Sequence, residues 1–213
     1  MDNPKKHLDA LSDIKNLMER SSKFISFSGL SAISAGIIAI TGAVFTSLHF
    51  NISFFDVKSS QNLKGTQADP ETLTFLIITA VIVFLLSMAA AILISSKKAR
   101  DSNLIFWDNM AKRVFLNLFI FLFTGGIFCA LLIYHQIYFL IVPAMLIFYG
   151  LALINVSKFT MNEIAQLGIF EIILGIAASF VITYPLLIWV SGFGILHLIY
   201  GTYIYLKYER KKN

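Results

Sequence analysis

Charge is the first thing this sequence lacks. Only 14% of its 213 residues are Asp, Glu, Lys or Arg, while 57% are hydrophobic. A soluble domain is usually about a quarter charged. So few charges cannot cover a water-soluble surface, and the mean hydropathy of +0.77 points the same way. Cysteine is nearly absent as well. Cys129 stands alone in an apolar run, which excludes an intrachain disulfide and a thiolate metal site. A lone buried cysteine reads as a small packing residue. Catalytic signatures are also missing. There is no HExxH, no Gly-rich phosphate loop, no Ser-His-Asp set and no cluster of acidic and histidine residues. His7, His49 and His135 lie in separate regions and complete no metal site. The expectation is a non-enzyme without cofactor or metal. The net charge of +5 comes from basic residues gathered in short segments beside apolar runs. That is the pattern of membrane topology and not of a nucleic-acid-binding face.

What the sequence does have is long uncharged runs. Crossing a bilayer takes about 20 apolar residues in a helix. No Asp, Glu, Lys or Arg occurs from Phe24 to Phe55, from Thr72 to Ser96, or from Val114 to Ser157, and from Ile164 to Leu206 there is only Glu171. The first two runs hold one helix each. The last two hold two helices each, with turns at Tyr134-His135-Gln136 and Thr183-Tyr184-Pro185, where the proline ends one helix and starts the next. The fold class is therefore all-α, with six transmembrane helices at about 24–49, 72–95, 114–134, 137–156, 164–183 and 186–206, inside a membrane domain of residues 24–207. The first run starts late and is too long for a cleaved signal, so it reads as a retained span.

Lys and Arg set the orientation. Fifteen fall on one side of the predicted spans and only Lys58 and Lys64 on the other. The positive-inside rule places the fifteen, and both termini, in the cytoplasm. Residues 1–23 read as a cytoplasmic segment with an amphipathic helix, started by Asn3 and Pro4 and carrying Leu8, Leu11, Ile14 and Leu17 or Met18 at helical spacing. It suits the inner membrane face or a docking role. Residues 208–213 form a basic tail. In the basic loop 97–113, Trp107 suits the lipid headgroups. Asn51-Ile52-Ser53 matches a glycosylation acceptor but abuts the membrane.

The apolar runs repeat one another. Gly36-Ile-Ile-Ala, Gly126-Ile-Phe-Cys-Ala and Gly175-Ile-Ala-Ala-Ser occupy the odd spans. Leu146-Ile-Phe-Tyr-Gly150 and His197-Leu-Ile-Tyr-Gly201 occupy spans four and six, with Ala91 at the matching place in span two. This predicts a helical hairpin used three times in sequence, each copy starting inside. On these motifs and the turn at Pro185, the chain resembles the HdeD-like six-helix bacterial membrane proteins, whose namesake is linked to acid resistance. The resemblance is best over 168–206, extends to 120–158, and departs in the first hairpin, where the outer loop is long. It implies a bacterial inner-membrane protein. The chain is also similar to uncharacterised small bacterial membrane proteins, and that resemblance implies no activity.

Small residues mark helix-packing faces, because lipid gives helices no hydrophobic reason to associate. Gly36 lies in such a face with Ser28 and Ala32, and Gly168, Gly175, Gly194 and Gly201 mark spans five and six. Folding the last hairpin about Tyr184 sets Gly168 opposite Gly201, Gly175 opposite Gly194, and Glu171 against His197 between them. The same operation on spans three and four brings Asn117 near Asn155, a candidate interhelical hydrogen bond. Glu171 lies about 12 Å beyond Glu163 along a helix, well inside the apolar core. An ionised carboxylate there is costly. The neutral acid, or a hydrogen bond with His197, relieves that cost. Two functions follow. The first is a structural or interaction module that binds itself, a membrane protein or a cytoplasmic protein. The second is a small proton-linked transporter or channel using the Glu171–His197 pair.

Overall fold

A computed structural model describes residues 28–55, 69–101, 109–181 and 184–210. The predicted amphipathic helix, Trp107 and the end of the basic tail lie outside these residues. The described chain is helical, without strands. Six helices are long and apolar enough to cross a membrane. They are α1 (Gly29–Phe50), α2 (Pro70–Asp101), α3 (Asn109–Tyr134), α4 (Ile141–Ser157, entered through a 3-10 turn at Tyr138–Leu140), α5 (Asn162–Phe180) and α6 (Pro185–Glu209).

Local chemistry sets the ends. Ser28 is extended and its hydroxyl accepts the Leu30 N–H at 3.2 Å, a standard N-cap. At the other end of α1, Asn51 adopts the left-handed conformation at φ 49°. Its N–H donates to the Leu48 carbonyl and the Ile52 N–H to that of Ser47. This is the Schellman arrangement, with asparagine in the place glycine usually takes. Gln136 does the same after α3 at φ 60°, with Gln136 N–H on Ile133 and Ile137 N–H on Leu132. Asn51 is thus explained as a helix terminator before any glycan is invoked. Pro185 starts α6, where its missing N–H has no partner to lose. α6 does not wind uniformly. Val190–Leu196 and Tyr205–Glu209 take the wider i→i+5 form, while Pro185–Trp189 and His197–Ile204 are α-helical.

Helix neighbours differ in intimacy. α4 packs most closely on α5, and α1 on α6. α1 also packs on α2, and α3 on α4. α5 and α6 meet more lightly, and α2 and α3 make little or no contact. Backbone spacing explains the two close seams. A Cβ on Gly29 would lie 2.5 Å from the Gly201 carbonyl oxygen, and one on Gly201 would lie 2.9 Å from that of Gly29. Gly150 and Gly168 face each other in the same way, at 2.5 and 2.6 Å. One step along each seam, Gly36 meets the Gly194 carbonyl oxygen at 2.8 Å and Gly175 meets that of Pro143 at 2.9 Å. Only glycine lets these backbones touch.

These contacts correct the register expected for the last hairpin. Gly168 and Gly175 do not face Gly201 and Gly194. They turn to α4, while Gly194, Gly201 and Gly36 join α6 to α1. Each glycine belongs to a tight seam, but the seam lies between predicted hairpins and not within one. Gly126 has nothing within 4 Å of where its Cβ would be and is exposed.

Candidate functional site

Three helices bring their polar side chains to one point. Glu171 comes from the middle of α5, His197 from α6 and Tyr149 from α4. Glu171 is fully buried at 0% exposure, and His197 is 5% exposed. His197 Nδ1 lies 3.5 Å from Glu171 Oε1 and 3.2 Å from the Gly192 carbonyl oxygen. On the other side of the ring, Nε2 lies 2.6 Å from the Tyr149 hydroxyl. A carbonyl only accepts, so Nδ1 carries the proton that faces Gly192. Nε2 of the neutral ring then accepts from the Tyr149 O–H. The imidazole is fully satisfied without Glu171.

Glu171 is not satisfied. Both of its carboxyl oxygens are buried without a hydrogen-bond partner among the described residues. Its surroundings are apolar, with Leu146 and Leu174 close by. Gly192 matters because a Cβ there would sit 2.7 Å from Glu171 Oε2 and would also strike Leu146. The wide winding of α6 begins at Val190 and ends just before His197, so Gly192 lies inside it. Wide turns of this kind often mark functional positions. Aromatic rings roof the histidine. Tyr149 stacks on His197 at 5.3 Å between ring centroids, and Phe193 lies 5.4 Å from Tyr149 and 5.5 Å from Trp189.

A second polar group ties the helix ends. Glu209, near the end of α6, accepts the Gly29 N–H at 2.7 Å, the Ser28 hydroxyl at 3.2 Å and Lys98 Nζ at 3.0 Å. One carboxylate thereby caps the start of α1, where the helix dipole favours an anion, and holds the end of α2. Close by, Glu163 in the first turn of α5 accepts from Lys207 Nζ at 2.6 Å and the Tyr208 hydroxyl at 2.8 Å. Between α3 and α4, Asn155 Nδ2 donates to Asn117 Oδ1 at 3.3 Å, and Asn117 Nδ2 donates back to the Arg113 carbonyl.

The structure therefore brings Glu171 near His197 and Asn117 to Asn155. Sequence reasoning missed Tyr149, Gly192 and Glu209. Tyr149 did carry a signal, since it sits in the Leu-Ile-Phe-Tyr-Gly stretch that repeats in α6, but its hydroxyl partner could not be read from that. Glu209 was absorbed into a tail read as basic. Among the described residues no group of three or more His, Cys, Asp or Glu could hold a metal ion. A small cleft lined by Phe139, Val142, Pro143, Ala178, Val181, Pro185 and Ile188 is mostly apolar, and Glu171 is not part of its wall. The hydroxyl, imidazole and carboxyl can pass or hold a proton. Searches against protein-family models, curated proteins and solved structures found no match to this chain.

Proposed function

We propose that this chain is a non-enzymatic, six-span protein of the bacterial inner membrane that works as an interaction module, pairing with a second copy through the flank formed by α2 and α3. Both ends lie in the cytoplasm, as the fifteen Lys and Arg on that side require under the positive-inside rule. The chain is built as three sequential hairpins, in keeping with its resemblance to the HdeD-like proteins.

The observation that carries the reading is the contrast between seams. The α1–α6 and α5–α4 seams use small residues at the same spacing, with Gly29 and Gly36 answering Gly168 and Gly175, and Gly201 and Gly194 answering Gly150 and Pro143. In a threefold repeat, α3 and α2 would form the third such seam. The matching positions there are Phe119 for Gly29 and Phe84 for Gly194. Two phenylalanines forbid the close backbone approach. Phe119 and Phe84 are 62% and 46% exposed. This flank is left for an outside surface of the same length and polarity. α2 runs antiparallel to α3, so two copies related by a twofold axis along the membrane normal would set each α2 against the other copy's α3.

Energy transfer between donor- and acceptor-labelled copies, reconstituted together in lipid vesicles, tests this. Transfer should exceed the random value at low protein-to-lipid ratio and fall in the Phe84→Ala, Phe119→Ala double variant. Transfer at the random value for the unaltered chain rejects self-pairing.

A further inference from the structure

The six helices divide into two blocks. α6, α1 and α2 pack together as one, and α3, α4 and α5 as the other. The blocks meet chiefly where α5 touches α6, with a smaller share for α4 against the start of α6. On the far side, α2 and α3 make little or no contact. The joint is less closely packed than the seams inside the blocks, and it sets polar contacts beside an apolar patch where Leu196 and Tyr200 of α6 meet Leu153, Ile164 and Leu167. Tyr149 to His197, Glu171 to His197, Glu163 to Lys207 and Glu163 to Tyr208 all run from one block to the other. The glycine seams lie within the blocks.

We propose that Glu171 is a proton-binding site at the joint between two three-helix blocks, and that release of its proton loosens that joint. The inference rests on the membrane reading above but not on self-pairing. Three observations carry it. The carboxyl is fully buried, and neither oxygen has a hydrogen-bond partner among the described residues. The imidazole beside it is already satisfied by Gly192 and Tyr149, so it needs no charge to complete its bonds. And the groups lie on the joint with the least packing to hold it closed.

In the closed arrangement Glu171 carries its proton and His197 is neutral, so the site holds no net charge. When the proton leaves for water, a carboxylate remains among Leu146, Leu174 and Gly192. That charge is relieved only by water entering between α5 and α6 or by the imidazole taking up a second proton. The second route puts hydrogen on Nε2 and makes the Tyr149 hydroxyl its acceptor, which turns the Tyr149 O–H away. Either route disturbs contacts that join the blocks.

Few other groups bear on this site. α4 contributes Tyr149 alone. α5 has only Glu163 besides Glu171, and Glu163 is committed to Lys207 and Tyr208. α6 adds Tyr200, which packs on Phe170. α1, against the other side of α6, has only His49, at its far end and stacked on Phe75.

The test uses the full chain in lipid vesicles. Infrared spectra read the protonated carboxyl band, and spin labels at Leu86→Cys and Phe123→Cys in a Cys129→Ala background read the distance between α2 and α3. A band that is lost in Glu171→Gln, shifts in heavy water and disappears as pH rises is expected, with the α2–α3 distance changing over the same pH range. In Glu171→Gln the distance should no longer depend on pH. A band that neither exchanges nor titrates makes Glu171 a permanently neutral packing group and overturns the proposal. So does a distance that ignores pH in the unaltered chain. Protein that fails to float with the vesicles defeats the membrane reading and this inference with it.

Discussion

α5 has two neighbours and holds them by opposite means. Against α4 it presents glycines, and the backbones touch. Against α6 it presents Glu171 and Glu163, and the packing is lighter. The first seam draws on dispersion over closely approached backbones, which is hard to adjust and insensitive to conditions. The second draws on hydrogen bonds and a buried acid, whose strength changes with one proton. A helix with one fixed side and one adjustable side is suited to stay with one block while the other shifts.

The largest expected effect breaks the fixed side. Gly168→Leu drives a side chain into the Gly150 carbonyl oxygen, which already lies 2.6 Å from the Cβ position. Overpacking commonly costs about 1–3 kcal/mol, and a backbone obstacle puts this case at or above the top of that range. Reversible unfolding in mixed micelles should show it. Gly126→Leu, the matched change where nothing lies within 4 Å, should be neutral. Equal losses at the two positions would dissolve the distinction between closed and open seams.

The next effect concerns the adjustable side. His197→Ala strips the partner from the buried Tyr149 hydroxyl and leaves Glu171 more isolated, at a cost of about 1–3 kcal/mol. Replacing the group by apolar residues of similar volume, as in Glu171→Leu with His197→Phe and Tyr149→Phe, should restore stability or raise it, as with other buried polar sets. If the triple variant is instead the least stable of all, the polar joint holds the fold together and is not an adjustable element.

How legible was this arrangement in the sequence? The six long apolar helices were legible. Expected boundaries of 114–134 and 137–156 compare with α3 at Asn109–Tyr134 and the helical stretch Tyr138–Ser157. Uncharged length and the turn residues decide those limits locally. Neighbours within the first two hairpins were legible, α1 on α2 and α3 on α4, but the close seams of α4 with α5 and α1 with α6 were not. In a membrane-length helix every face is apolar, so the pattern that orients a soluble helix toward its core is absent. The turn at Pro185 sets α5 beside α6 along the chain, and in sequence the glycines suit that hairpin. They serve α4 and α1. Glu171 and His197 survived the error because their depths along the two helices match whichever face the glycines take. Tyr149 was lost because no sequence rule places α4 beside both.

A smaller effect tests the end of α6. Glu209 bonds to Gly29, Ser28 and Lys98. Glu209→Ala removes a cap from α1 and should cost about 1 kcal/mol. Lys98→Met removes the partly exposed ion pair with Glu209, and loss of that pair should cost less, about 0.5 kcal/mol. Amide exchange at the first turn of α1 should rise in the first variant and hardly change in the second. A larger effect from Lys98 would mean that the tie to α2, and not the cap on α1, is what Glu209 provides.

The smallest effect lies inside the second block, at Asn117 and Asn155. Their single hydrogen bond is 3.3 Å long, and Asn117 also bonds to the Arg113 carbonyl of its own helix. Interhelical hydrogen bonds in membrane proteins average about 0.6 kcal/mol in double-mutant cycles. A cycle of Asn117→Val and Asn155→Val should give a coupling at or below that value, because Asn117 keeps its own-helix bond when Asn155 is lost. A second cycle, of Tyr149→Phe and His197→Ala, supplies the contrast and should give the larger coupling. Both are polar contacts between helices, but Asn117–Asn155 lies in a well-packed seam within a block, where close contacts already fix the two helices. Tyr149–His197 lies on the joint between blocks, where the helices pack less closely. A coupling for the asparagines as large as that for Tyr149 with His197 would remove the reason for singling out the joint, because polar bonds would then count the same wherever they fall.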